Sequence, residues 1–129
     1  MPYPSPPLPL AYRGRRTAAG AIVEAQAPGG TWYALDPRLD LREHSPTGLE
    51  WGYGGSGPSQ LALALTASRV PEAEALTLYQ FVKRALVAGL DDQWFITAGR
   101  LDELLAELRS APPAAAAGGE DLDAGGDPS

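Results

Sequence analysis

The apolar and polar positions of the chain fall into short extended runs in its first half and into helical spacings in its second half. Tyr12 to Arg16 and Ala21 to Ala25 are two such runs around Thr17-Ala18-Ala19-Gly20, a pattern that predicts a β-hairpin. Thr31 to Leu35 follows the turn residues Pro28-Gly29-Gly30 and predicts a third strand. The first half is therefore expected to form sheet.

The middle of the chain is harder to assign. Residues 38–43 fit a short strand or one helical turn equally well. After the turn-like run from His44 to Gly48, the alternation of Leu49, Trp51 and Tyr53 predicts a strand with these three side chains on one face.

Three helices are predicted beyond this point. The first contains Leu61, Ala64, Leu65 and Ser68 at helical spacing and ends near Val70. The second has Pro71 in its first turn and Gly89 as its C-cap, with an apolar stripe of Ala75, Leu78, Phe81, Val82, Ala85 and Leu86. A buried strand from Trp94 to Ile96 follows. Thr97 then caps a helix whose inner face is Leu101, Leu104, Leu105 and Leu108.

This order predicts one small α+β, or small α/β, domain in which an antiparallel sheet of about four to five strands packs on about three helices. We assign residues 12–110 to this domain. Residues 1–11 read as a Pro-rich, polyproline-like extension, and residues 111–129 as a disordered tail rich in Ala, Gly and acidic residues.

Charge and composition narrow the function. The net charge is −6, but four of these negative charges lie in the C-terminal tail, at Glu120, Asp121, Asp123 and Asp127. The nearly neutral body lacks the basic footprint typical of nucleic-acid binding. No segment has the length or the leader pattern of a membrane or secreted protein, so we expect a soluble, cytoplasmic protein.

Cofactor chemistry is restricted by composition. The chain has no Cys, which excludes structural disulfides and thiolate zinc sites, and His44 is its only His. Acidic residues are not clustered in a magnesium-binding motif. We therefore predict neither a metal nor a cofactor.

The Gly-rich turn from Trp51 to Pro58 is the most distinctive segment of the sequence. It joins the predicted strand to the first helix, so its free N–H groups and the helix dipole could bind a phosphate or carboxylate ligand. The ligand-contacting residues would be Gly54, Gly55, Ser56, Gly57 and Gln60. The turn fits neither common phosphate-binding motif and contains no Lys or Arg, so close packing of strand on helix is the favoured interpretation.

The run Glu50-Trp51-Gly52-Tyr53-Gly54-Gly55-Ser56-Gly57-Pro58, followed by Gln60 to Ala64, resembles the hallmark of an uncharacterised family of unknown function found in bacteria, archaea and phages. The similarity extends to Tyr12-Arg13-Gly14, to the turn from Ser45 to Gly48, to the stretch from Tyr79 to Lys83 and to the Trp94 segment. The resemblance implies a small stand-alone domain, often encoded on phages or plasmids. It supplies no catalytic residues.

Nucleophilic catalysis is not favoured. A nucleophile elbow at Ser56 would need Gly at position 58, which is Pro58 in this chain. Ser56 is better explained as an N-cap or turn residue. His44 is interpreted as a solvated turn residue, with pairing to Glu50 as the rival. Glu50 is expected to form an ion pair with Arg13 or Arg42, with a buried acid of raised pKa as the alternative.

The remaining candidates are surface side chains. Arg13, Arg15 and Arg16 could contact phosphates of a nucleic acid, but the favoured interpretation is that on a sheet edge they discourage edge pairing, which needs no ligand. Gln80, Lys83 and Arg84 are predicted to be solvated. Four rings are assigned to the core and not to a stacking platform: Trp51, Tyr53, Trp94 and Phe95.

Three functions remain as hypotheses. The leading one is a small accessory or regulatory protein without enzymatic activity, encoded on a phage or mobile element, that binds another protein. The second is binding of a phosphorylated or carboxylated small molecule at the Gly-rich turn. The third is nucleic-acid binding through Arg13, Arg15 and Arg16.

Overall fold

The computed structural model describes residues 8–46 and 48–110. The predictions of a Pro-rich extension before residue 8 and of a disordered tail after residue 110 lie outside these residues. Leu10 is already joined to the sheet, since its carbonyl accepts a 2.9 Å hydrogen bond from Ala98 N–H. The first strand begins at Ala11, one residue before the predicted domain start.

One antiparallel sheet forms the frame of the described chain. Its strands are β1 (Ala11–Thr17), β2 (Gly20–Gln26), β3 (Trp32–Ala34) and β4 (Trp94–Thr97), in the spatial order β3-β2-β1-β4. The predicted hairpin is confirmed as β1 and β2, and the runs at Thr31 and Trp94 are confirmed as β3 and β4.

The helices are α1 (Ser56–Ala67), α2 (Glu72–Ala85) and α3 (Ala98–Ser110), and a 3-10 turn spans Val87–Gly89. A four-stranded antiparallel sheet with three helices confirms the predicted α+β domain. Thr97 caps α3 as expected, because its hydroxyl accepts a 3.1 Å bond from Arg100 N–H. Pro71 stands immediately before α2, where its missing N–H costs no hydrogen bond.

The core lies between one face of the sheet and the helices. Tyr12, Ala25 and Ile96 point inward from the strands, and α1 is buried along nearly its whole length. Two of the four rings assigned to the core are there, Trp51 fully buried and Trp94 nearly so. The helices therefore cover one face of the sheet, and the alternate strand residues face away from them.

The predicted strand from Leu49 to Tyr53 is wrong. Trp51 is fully buried, whereas Tyr53 is 45% exposed, so the two rings do not share a buried face. The backbone here bonds to other elements: Glu50 N–H reaches Gly57 O and Gly52 N–H reaches Val87 O. Gly52 has a φ of +86°, which ends any strand geometry at that point.

Two further assignments on this side of the molecule are decided by the structure. Of the two alternatives for residues 38–43, the turn is observed and the strand is not, because the N–H groups of Leu41 and Arg42 both bond Arg38 O. Helix α2 ends at Ala85, because the chain leaves helical geometry at Leu86 and brings Val87 into the core. Gly89 therefore lies in the 3-10 turn and is not the cap of α2.

Candidate functional site

The Gly-rich turn is a packing joint between the segment before it and α1. A Cβ at Gly57 would lie 2.6 Å from Glu50 Cβ, so only glycine allows Glu50 to cross the first turn of α1. Gly55 is buried and is the N-cap of α1, which makes Ser56 the first helical residue and not the cap. Gly54 is exposed, with open space around it.

Gln60, expected as a ligand contact, anchors the preceding loop. Its side chain is fully buried, and its Oε1 accepts hydrogen bonds from the N–H groups of His44 and Ser45 at 2.7 and 3.1 Å. Its Nε2 donates to the carbonyls of Pro37 and Arg42 at 2.7 and 3.0 Å. All four hydrogen-bonding positions of this amide are thus engaged within the chain.

Arg16 supplies the cation that the turn itself lacks. Its guanidinium lies over the Trp51 ring and lines an open hollow of about 740 Å³ with residues 51–53 and 90–93. It already donates to Glu50 at 2.9 Å, Asp92 at 2.6 Å and the Trp51 carbonyl at 2.9 Å. The partner of Glu50 is therefore Arg16, not the expected Arg13 or Arg42. An incoming anion would have to displace these contacts.

His44 contacts α2 and not Glu50. Its Nε2 lies 2.6 Å from the hydroxyl of Tyr79, which is itself 3% exposed. One turn further along α2, Lys83 is only 4% exposed, so the prediction of a solvated Lys83 is wrong. A buried Lys is rare, so the charge of Lys83 indicated an exposed helix surface. This side of α2 instead packs within the protein, where Tyr79 contacts His44.

The strand face that points away from the helices, the outer face, carries a different set of residues. Cross-strand partners share a face, so the register places the following side chains together: Arg13, Arg15, Ile22, Glu24, Gln26, Trp32 and Phe95. Arg16 belongs to the opposite face. The structure thus separates it from the other two arginines of β1.

Two aromatic rings meet above this outer face. Trp32 on β3 and Phe95 on β4 belong to the two edge strands, and their ring centroids lie 6.3 Å apart in an edge-to-face arrangement. Phe95 is 61% exposed, so its assignment to the core is wrong, as is that of Tyr53. The guanidinium of Arg13 stacks on Trp32 at 3.9 Å, which adds a cation–π contact to the pair.

Charge on the outer face is shared unequally. Glu24 accepts a 2.9 Å bond from Arg13 Nε, whereas the nearest nitrogen of Arg15 is 3.9 Å away. Beside them lies a groove of about 410 Å³ with Ile22 and Phe95 in its walls. The outer face therefore combines the exposed ring of Phe95, the half-buried ring of Trp32, the aliphatic side chain of Ile22 and more positive than negative charge.

Other features of the described residues suggest no separate site. Among residues 8–46 and 48–110, no group of three or more His, Asp or Glu side chains could hold a metal ion. A hollow of about 450 Å³ lies between α1 and β3, lined mainly by apolar side chains such as Leu8, Tyr33 and Ala64. No helix in the described part of the chain is both long and apolar enough to cross a membrane.

Sequence reasoning identified Arg13 and Arg15 but missed Trp32 and misplaced Phe95. Side chains alternate between the two faces of a strand, so the neighbours Trp94 and Ile96 on the buried face imply that Phe95 lies on the exposed face. This alternation was the signal in the sequence that could have placed Phe95 correctly. Trp32 could not be placed in this way, because its contact with Phe95 crosses two intervening strands.

Comparison with known proteins identifies the family alone. No match to the chain was found among curated proteins or among solved structures. The model of a family of unknown function, DUF6166, matches residues 12–107, which is most of the chain and runs from the second residue of β1 into the last turn of α3. The chain belongs to the DUF6166 family of unknown function.

Proposed function

We propose that the protein is a small accessory or regulatory protein without enzymatic activity, and that it binds another protein through the outer face of its sheet. The observation that carries this proposal is the exposed Phe95 beside Trp32 and the stacked Arg13. Trp, Tyr and Arg are the residues that dominate the energetics of protein interfaces. Phe95 costs free energy to leave in water, and a partner that covers it recovers that energy.

The proposal also uses the rigidity of this face. Trp32, Arg13 and Phe95 stand on strands that are fixed by the sheet and by the core on the other side. Rigid aromatic contacts lose little conformational entropy on binding. We expect the protein to act in the cytoplasm. The chain has no Cys, and proteins of this reducing compartment rarely depend on disulfides for stability.

A partner-capture experiment tests this function. The tagged full-length chain is incubated with extract of its native host, captured proteins are identified, and each is purified and titrated directly. Phe95→Ser should weaken binding of the true partner about 30-fold, the loss expected of an interface hot spot. Tyr53→Ser is the matched control, because Tyr53 is also an exposed ring, at 45%, but lies at the Gly-rich turn.

The control makes the result decisive. Loss of binding in Phe95→Ser with full binding in Tyr53→Ser supports the proposal. Equal binding by wild type and Phe95→Ser, or repeated capture without a stoichiometric partner, contradicts it.

Nucleic acid is the second candidate for the same face, favoured by Arg13, Arg15 and the two rings. Glu24 lies close to both arginines and would repel a phosphate backbone, so we rank nucleic-acid binding below protein binding. Nucleic-acid binding predicts an affinity that falls steeply with salt concentration and is lost in an Arg13/Arg15 double substitution. Because Arg16 lies on the other face, a further Arg16 substitution should add little.

Binding of a phosphorylated or carboxylated ligand at the Gly-rich turn, the second hypothesis from the sequence, now ranks third. Thermal shift with nucleotides and sugar phosphates tests it, and the required contacts would be Gly54, Ser56 and the side chain of Arg16. Gln60 is left out of this site, because the loop at residues 37–45 occupies its amide.

A further inference from the structure

The groove beside Phe95 has a specific polar feature in addition to its apolar walls. Glu24 neutralises Arg13 through a direct hydrogen bond, but its contact with Arg15 is 3.9 Å, beyond hydrogen-bonding distance. Within residues 8–46 and 48–110, the guanidinium of Arg15 donates no hydrogen bond, and its side chain is 44% exposed. Arg15 therefore has donors available to a ligand in this groove.

We infer that this groove receives a peptide segment in which an acidic residue adjoins an apolar one. The carboxylate binds Arg15 and the apolar side chain lies between Ile22 and Phe95. This inference rests on the proposed protein-binding function and specifies the chemistry of the partner. A guanidinium binds a carboxylate through two parallel hydrogen bonds, which gives the pair both strength and orientation.

The size of the groove agrees with such a segment. Its volume is about 410 Å³, and its walls are formed by the outward side chains of β1 and β2 on one side and by residues 93–95 on the other. Arg15 is the direct cross-strand neighbour of Ile22, and Phe95 is the neighbour of Arg13. The acidic group and the apolar group of a ligand would therefore bind side by side.

The charge distribution favours a carboxylate over a phosphate backbone. Glu24 lies 3.9 Å from Arg15 and repels an anion more strongly as the charge of that anion rises. A nucleic-acid strand gains most of its affinity from several phosphate contacts, whereas the outer face offers Arg13 and Arg15 with Glu24 beside them. A single carboxylate needs one guanidinium whose donors are available, and Arg15, whose ion pair with Glu24 is too long for a hydrogen bond, provides it.

Two capped model peptides test the inference. Acetyl-Gly-Gly-Glu-Phe-Gly-Gly-amide carries the acidic and apolar pair, and the same peptide with Gln in place of Glu lacks only the charge. Each is titrated into the ¹⁵N-labelled full-length chain, and amide and arginine side-chain shifts are followed. The Glu peptide should shift the signals of Arg15, Ile22 and Phe95, and the Gln peptide should bind about fivefold more weakly.

Variants then separate charge recognition from simple apolar contact. In Arg15→Gln the two peptides should bind equally weakly. Arg100→Gln is the matched control, because Arg100 is an exposed arginine on α3, 64% accessible, and both peptides should bind this variant as they bind wild type.

Clear outcomes overturn the inference. These are equal binding of both peptides to wild type, absence of shifts up to low-millimolar peptide, or shifts confined to other surfaces. If a short deoxythymidine oligonucleotide shifts the same signals at lower concentration than the peptide, the groove serves nucleic acid. If the peptides fail but partner capture still depends on Phe95, only the carboxylate chemistry fails and the protein-binding function stands.

Discussion

The Gly-rich turn and the outer face of the sheet differ in what occupies their functional groups. At the turn, Gln60 holds four backbone groups of the preceding loop, and Arg16 holds two carboxylates and a carbonyl. On the outer face, Phe95 is largely exposed and Arg15 donates no hydrogen bond within the described residues. The side chains of Gln60 and Arg16 are thus engaged within the fold, whereas those of Phe95 and Arg15 are accessible to a partner.

The difference teaches which kind of sequence feature accompanies the candidate site in this protein. The turn is conspicuous because glycines and a Trp stand next to one another, but close packing explains Gly57 and Trp51 completely. The outer-face residues are scattered along the chain and come together only through strand pairing. A surface whose residues come from several strands is therefore hard to detect in the sequence, because no short motif contains them.

Replacing Gln60 by Leu is the most severe test of the committed role of the turn. The change removes partners from the N–H groups of His44 and Ser45 and from the carbonyls of Pro37 and Arg42. We expect a loss of about 3–5 kcal/mol in the free energy of unfolding, because buried unpaired polar groups each cost about 1–3 kcal/mol. Urea denaturation measures it.

Gln26→Leu serves as the control for this substitution. The Gln26 amide makes an exposed bond to Gly30 O at 3.2 Å, so its loss should change the free energy of unfolding by less than about 0.5 kcal/mol. Similar losses in the two variants would show that Gln60 does not anchor the loop.

Gly57→Ala tests the packing joint directly. The new Cβ would lie 2.6 Å from Glu50 Cβ, so the two segments must separate. The expected net loss is about 1–2 kcal/mol, since overpacking costs about 1–3 kcal/mol and alanine regains part of this through its helix propensity. Gly54→Ala is the matched control, because nothing lies within 4 Å of a Cβ there. If both variants are as stable as wild type, the turn is not a tight joint.

Phe95→Ser tests the outer face of the sheet, where a substitution should cost less stability than one at the Gly-rich turn. Phe95 is 61% exposed and makes an edge contact with Trp32, so its loss should lower the free energy of unfolding by only about 0.5–1 kcal/mol. Chemical denaturation of the variant beside wild type measures the change. A loss above that of Gly57→Ala would mean that Phe95 belongs to the core and is not reserved for a partner.

The smallest expected effect concerns the ion pair that joins the end of α1 to α3. Arg69 binds Asp102 through two hydrogen bonds and lowers the pKa of Asp102 below its ordinary value of 3.8. The stabilisation is therefore complete above about pH 4 and is lost as the pH falls through the lowered pKa. With Asp102 49% exposed, we expect less than about 0.5 kcal/mol.

The variant Asp102→Asn tests the charge of this pair, and the urea midpoints of the variant and of wild type are compared between pH 7 and pH 2. The difference between the two midpoints should shrink as the pH is lowered, because Asp102 of wild type then becomes protonated and uncharged. A difference between the two proteins that is constant across this range would contradict a charge-based contribution.

Much of the fold could be predicted from local patterns. The hairpin, the short strand at Trp94, the cap at Thr97 and the inner face of α3 all depend on residues that are close in sequence. The strand at Leu49 to Tyr53 failed for the same reason. Its alternation was local, whereas its backbone partners, Gly57 and Val87, come from elements that approach it only in the folded chain.

The candidate site was harder to predict than the fold. Arg13 and Arg15 could be found from their charge, but the separation of Arg16 onto the other face follows from strand register. The meeting of Trp32 with Phe95 depends on the order of strands in the sheet. Lys83 was predicted to be solvated because charged residues rarely become buried, and tertiary packing overrode that tendency.

Site-specific photo-crosslinking in the native host tests the central claim most directly. The photoreactive residue p-benzoylphenylalanine replaces Phe95 on the outer face in one variant and Tyr53 at the Gly-rich turn in the other. Both positions are exposed, at 61% and 45%, so accessibility alone does not favour either. We predict one dominant protein adduct at position 95 and none at position 53. A dominant adduct at position 53 with none at position 95 would contradict the assignment of binding to the outer face.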